Sequence, residues 1–368
     1  MSNAGLNEEA QPNDKTPNNL TAIAPRRAAD FLSPFLYAIA AFTLAVLLFS
    51  VVVALAGQNP LTAGQTLLSG AVGSRERLAE SLAKAIPLLM TGLSVAIAFR
   101  AGFFNIGAEG QFLMGALAAA GLGTKAQWPV PFALLGGACA GALWALIAGV
   151  LKTRRGAPEI ITTIMLNYIA LQVVAFSLQM PDNEGASHGW LLESAQSQPQ
   201  SDVLPFQAQL PALLADTNLH VGIFIALACA FACWWLLFRT ERGFLLRAAG
   251  ANILAARAAG IRVESETLRA VALCGALSGL GGAMEVAGAT KQLSMGGFGY
   301  GYTAIAVALL ANLNPLGVVP AALLFGMLDA GGKSMERTAD VPAVTVFVII
   351  GVVIFVVAAI PRLKLRRL

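Results

Sequence analysis

Charge is scarce in this chain. Asp, Glu, Lys and Arg make up 12% of its residues, apolar residues make up 57%, and mean hydropathy is +0.70. A soluble domain carries about 25% charge, so a water-facing globule is excluded. Histidine is scarcer still: only two are present, His188 and His220, both at a polar loop where a surface role is expected. The four cysteines, Cys139, Cys229, Cys233 and Cys274, lie inside apolar stretches and read as small buried hydrophobes. No HExxH or Cys/His cluster offers a metal site, no G-x-S-x-G elbow offers a nucleophile, and no GxxxxGK[ST] loop cradles a phosphate. No cofactor is therefore expected. A membrane-embedded enzyme lacks any catalytic constellation. The net charge of +4 is concentrated in loops, where it reports membrane topology and not nucleic-acid binding.

Present instead are apolar runs long enough to cross the ~30 Å hydrocarbon core of a bilayer. The fold class they predict is all-α: a polytopic integral membrane protein of about ten membrane segments, some of them short or broken. Residues 1–24 are polar, without the short apolar core of a cleavable signal, and residues 1–30 read as a disordered cytoplasmic tail. Residues 31–368 form one membrane domain. Spans are expected near Phe35–Ala56, Leu78–Phe99, Phe112–Gly123, Val130–Leu151, Glu159–Gln179, Val221–Phe238, Leu268–Gly288 and Val341–Ile360. Gln58–Arg77 is amphipathic and reads as a short helix on the outer surface. Arg26 and Arg27 before the first span place the N-terminus inside. The basic end Arg362, Lys364, Arg366, Arg367 belongs inside as well, and parity then requires the apolar stretch Tyr302–Leu328 to turn at Asn312–Gly317. The outer loop 180–219 contains neither Lys nor Arg and is the natural landing surface for an external partner.

Two interruptions carry the chemistry. In Arg100–Gln111, glycines 102, 107 and 110 break a segment between membrane helices. Irregular backbone at membrane depth is tolerated only where protein buries it or a cavity adjoins it, and broken helices recur in transport pathways. Glu109 in this segment is a candidate for ion coupling, which a secondary transporter would need; capping a helix N-terminus or pairing with another helix serves equally well. The fifth span carries Thr162, Thr163, Asn167, Tyr168 and Gln172, of which Thr163, Asn167 and Tyr168 recur on one face, expected to meet the bundle or the pathway. The second interruption, Arg239–Arg269, holds a two-turn helix over Ile253–Ala259, with Asn252 as N-cap and Gly260 as αL C-cap. Two turns do not persist alone, so this helix docks on something.

Four blocks together resemble the permease subunits of bacterial ABC importers, in the branch with ribose and branched-chain amino-acid permeases and nearest to nucleoside and simple-sugar permeases: 92–116, 158–170, 247–261 and 302–317. The resemblance covers about 78–360 and leaves the outer loop unmatched. It implies a bacterial inner-membrane subunit, itself no enzyme, with both termini cytoplasmic. It implies three partners: a cytoplasmic ATPase, a second homologous or identical permease, and an extracytoplasmic binding protein. Residues 250–260 would be the coupling helix, with Gly250, Asn252, Ala255, Ala256, Arg257 and Gly260 at the ATPase. Ala255 stands where the EAA-loop pattern of other importers has an acid, so their contacts do not transfer. The flanking arginines anchor topology, with membrane lipid as a further partner. Nucleosides are the expected substrate, with sugars and branched-chain amino acids as alternatives. Phe103 and Phe104 would stack on a base, and Asn105, Glu109, Asn167 and Tyr168 would bond polar edges; the rival assignment is that these six build the fold.

Overall fold

The computed structural model describes residues 43, 44, 46–55, 57–179, 189–192, 199–339, 348 and 351. The tail 1–30, all but residues 348 and 351 of the span expected at 341–360, and most of residues 180–198 lie outside them. Among the described residues the fold is helical, with only isolated β-bridges. After the helical residues Val46–Leu55 the order is α1 (Pro60–Val72), α2 (Arg75–Arg100), α3 (Ala108–Thr124), α4 (Val130–Arg155) and α5 (Glu159–Ser177). Then come α6 (Gly222–Arg239), α7 (Glu241–Ala251), α8 (Ile253–Ala258), α9 (Val263–Met284, running on as a π-helical turn to Thr290), α10 (Tyr300–Leu310) and α11 (Pro315–Ala339).

Among the described residues, six helices are long and apolar enough to cross a membrane: α2, α4, α5, α6, α11 and α9 with its π turn. The described residues thus support a helical membrane protein with several spans and leave the expected ten segments unconfirmed. The break at 312–317 is present, with α10 and α11 on either side of it, but the two are unequal. α11, at 25 residues, is long enough for a full crossing, while the 11 residues of α10 reach ~16 Å, about half the hydrocarbon core. The amphipathic stretch forms the expected short helix, with one side packed on the bundle. α1 buries Ala63, Gly70 and Ala71 and packs on the end of α11, where Gly70 abuts Ser334 and Gly331.

The core is α4 against α9, with α3 packed on both. Small residues make this possible, since lipid supplies no hydrophobic drive between helices and close backbone approach must do the work. A Cβ on Gly279 would lie 2.4 Å from the Gly137 carbonyl oxygen, and one on Gly275 would lie 2.3 Å from that of Gly141. Arg100, Lys152, Arg154, Arg155 and Arg239 gather at one end of the bundle, called here the basic end. At the opposite end the described part of the loop before α6 packs on the bundle while leaving Phe206 91% exposed. Leu204 and Leu210 are buried, and the amides of Ser201, Leu204 and Leu210 donate to the carbonyls of Leu293, Lys291 and Ala287. His220, expected at the surface, is 1% exposed, with its ring against Gly288 and its Nδ1 accepting from the Gly222 amide at 3.2 Å.

Candidate functional site

The break after α2 starts at Gly102, whose φ of +71° is a conformation that Cβ-bearing residues avoid. Residues 101–107 run back into the bundle without helical structure, and α3 begins at Ala108. Its first turn lies deep. The Gly110 amide donates to Asn167 Oδ1 at 2.8 Å, and Asn167 stands halfway along α5. The orphan amides of a helix start cannot find water at that depth, so side chains must take them. Asn167 does so, and its Nδ2 donates to the Ile106 carbonyl at 2.8 Å and to Tyr302 Oη at 3.3 Å. Asn105 and Gln111 exchange amide bonds at 3.0 Å in both directions. Ser278 on α9 donates to the Ala108 carbonyl at 2.6 Å.

Glu109 is committed to a helix end. Oε1 accepts from the Gly299 amide at 2.8 Å and Oε2 from the Gly301 amide at 2.7 Å, so the carboxylate caps the half-helix α10. A negative group at the positive end of a helix dipole is favourable, more so where water is excluded. Glycine is required here, because a Cβ on Gly301 would fall 2.1 Å from the Glu109 nitrogen. The next layer is aromatic: Phe112 meets Phe298 and Tyr300 at centroid distances of 5.4 and 5.7 Å.

The six candidate pathway residues therefore separate into two groups. Phe103, Asn105, Glu109 and Asn167 are buried at 1 to 3% exposure and hold the break together. Phe104 and Tyr168 are 52% and 60% exposed beside them, and Tyr302, which the sequence did not single out, joins them at 48%. Thr163 and Asn167 face inward as the spacing predicts. Tyr168, one residue on and turned by ~100°, faces away from the core.

At the basic end α8 has the expected caps. Asn252 accepts from the Ala255 amide at 3.0 Å, and Gly260 has φ +80°. The rest of Arg239–Arg269 is more ordered than its sequence indicates. α7 fills Glu241–Ala251, with Thr240 as N-cap accepting from the Gly243 amide at 3.1 Å. Of the residues expected at a partner, Asn252, Ala255, Arg257 and Gly260 are exposed, with Arg257 paired to Glu264 at 2.6 Å. Ala256 is buried against Ala249 and Val263, and Gly250 packs within the chain. Overlooked were Ile253 and Leu254, which are 45% and 78% exposed. Two adjacent exposed aliphatics at a helix start were legible as a docking signal.

A bundle of apolar helices, broken at mid-depth and stitched there by buried amides and a carboxylate, is the architecture of a membrane permease. The chain belongs to the permease component family of branched-chain amino acid transport systems, which matches residues 77–358. It is 35% identical over 336 residues to a guanosine ABC transporter permease protein of Bacillus subtilis, covering 89% of this chain and 94% of that one. It is 34% identical to a glucose ABC transporter permease protein of Haloferax volcanii, covering 80% of each. A nucleoside ABC transporter permease protein of Lactococcus lactis is 30% identical, with 85% of this chain and 87% of that one covered. No solved structure matches.

Proposed function

We propose that this chain is the membrane subunit of an ATP-driven nucleoside importer of the bacterial inner membrane, with both termini cytoplasmic. The observation that carries the ATP-driven part is α8. It is a six-residue helix, capped at both ends, that turns Ile253 and Leu254 into solvent. A helix so short persists only when docked; its Ala256 side docks on Ala249 and Val263, and the exposed Ile253–Leu254 side fits a cytoplasmic ATPase subunit. Residues 31–368 act as one permease domain, paired with a second permease and served by an extracytoplasmic binding protein.

The substrate class follows from the break. Half-helix N-termini in transporters often bind an anionic substrate group. Here the N-terminus of α10 is already filled by Glu109. A substrate carboxylate finds no such site, which favours a neutral nucleoside over a branched-chain amino acid. It also turns the ion-coupling role of Glu109 aside, because both oxygens are engaged by fixed backbone donors. Phe104, Tyr168 and Tyr302 then present aromatic faces to the pathway, suited to stacking on a base, while Phe103, Asn105, Glu109 and Asn167 position them. The likeness to a glucose permease supports a second reading, a simple-sugar substrate. Uptake of radiolabelled guanosine, glucose and leucine by cells expressing the complete importer separates these readings. Guanosine uptake that needs the ATPase is expected; leucine uptake alone would overturn the assignment.

A further inference from the structure

α7 ends one residue beyond Gly250, directly before the cap of α8. At Gly250 its backbone lies against the end of α2. A Cβ there would meet the Arg100 carbonyl oxygen at 2.1 Å and the Ala101 carbonyl carbon at 2.7 Å. From the other side, a Cβ on Gly102 would lie 3.1 Å from the Gly250 Cα. Backbone in contact with backbone transmits displacement with little slack, because no rotamer can absorb it.

The stretch that begins at this contact holds α10 at both ends. Arg100 Nε donates to the Leu313 carbonyl at 2.7 Å, and a terminal guanidinium nitrogen donates to the Asn312 carbonyl at 3.3 Å. Asn312 and Leu313 have φ of 50° and 56°, so the helix closes in a left-handed cap whose carbonyls point at the cation. Nine residues later Glu109 binds the amides at the opposite end of the same helix. Each charge sits at the pole of α10 that attracts it. Lys152 fastens the intervening backbone through the Gly102 carbonyl at 3.0 Å.

We propose that Arg100–Glu109 is the transmission between docking helix and pathway, with Arg100 and Glu109 as positioning residues that make α10 move with α8. Tyr302, on the first turn of α10, would be carried with it. This rests on the reading of α8 as the ATPase-docking helix.

The test uses the complete importer in liposomes, measuring guanosine uptake and binding-protein-stimulated ATP hydrolysis together. Arg100→Gln is expected to cut uptake roughly tenfold while hydrolysis stays within about twofold, a loss of coupling within the usual range. Arg100→Lys, which keeps one charged donor, recovers part of the uptake. Uptake and hydrolysis falling in parallel with the amount of assembled complex would mean a merely structural role and overturn the link. Wild-type importer without ATP-dependent uptake would overturn the reading of α8, and the link with it. Should Arg100→Gln fail to assemble, hydrogen exchange over residues 299–313 of the wild-type permease is compared with and without the ATPase. A change at both ends of α10 supports the transmission; unchanged exchange at both ends overturns it.

Discussion

Replacing Glu109 by Gln tests the capping arrangement with one atom changed. The carboxylate spends one oxygen on Gly299 and the other on Gly301. A glutamine amide can accept only one of these bonds and points N–H at the other donor. Leaving a buried amide unsatisfied costs about 1–3 kcal/mol, and losing the charge at the start of α10 costs up to ~2 kcal/mol. Opposing this, Gln removes the cost of keeping a carboxylate dry, which is itself several kcal/mol. The fixed donors decide the sign, since they remain in place with nothing charged to meet. The net cost should be at most about 2 kcal/mol, localised at the α10 start. In nanodiscs, amide exchange over residues 296–304 should then speed up by up to about 30-fold, at ~1.4 kcal/mol per tenfold. Exchange elsewhere in α4 and α9 should stay slow. Unchanged protection at 299–301 in the folded variant would refute the cap.

Gly279→Ala should lower the melting point of the purified permease, because its Cβ meets backbone at Gly137 and Gly141 that cannot yield, for a cost of about 3 kcal/mol. The control Gly64→Ala, which meets only Phe49 at 3.7 Å, should not. Gly260→Val has open space but the wrong φ, a strain of about 1–2 kcal/mol confined to the C-cap of α8. Uptake should fall while the amount of protein in the membrane holds; full uptake would remove α8 from the mechanism. Burial pushes the His220 imidazole down from 6.5 to about 4. With the folded value below the unfolded one, stability is complete above 6.5 and is lost as pH falls from there toward 4, because only the unfolded chain takes up the proton. The loss is on the order of 3 kcal/mol. His220→Asn should flatten the acid side of a melting-temperature profile, and an unchanged profile would assign the acid sensitivity elsewhere.

Hydropathy alone determined that this chain is a helical membrane bundle, and local chemistry determined where it is interrupted. The cap residues Asn252 and Gly260, the turn at 312–317 and the glycine break at 102–110 are short-range features, so the sequence displays them directly. Gly275 and Gly279 in the span Leu268–Gly288 mark a place for close packing without naming its partners. What the tertiary structure decided is who meets whom. Glu109 could have been an ion-coupling group by its sequence context; it is a cap because Gly299 and Gly301, distant in sequence, bring two amides to its oxygens. Asn167 and Tyr168 read alike in the sequence, yet one is buried against Gly110 and the other exposed. His220 sits in a polar loop but is enclosed by Gly288 and Gly222. Gly250 belongs by position to the docking loop, while its contacts are with the end of α2. Periodicity and capping are encoded within a turn or two of chain. Burial and hydrogen-bond partnership depend on the docking of helices far apart in sequence, and only the folded bundle fixes them.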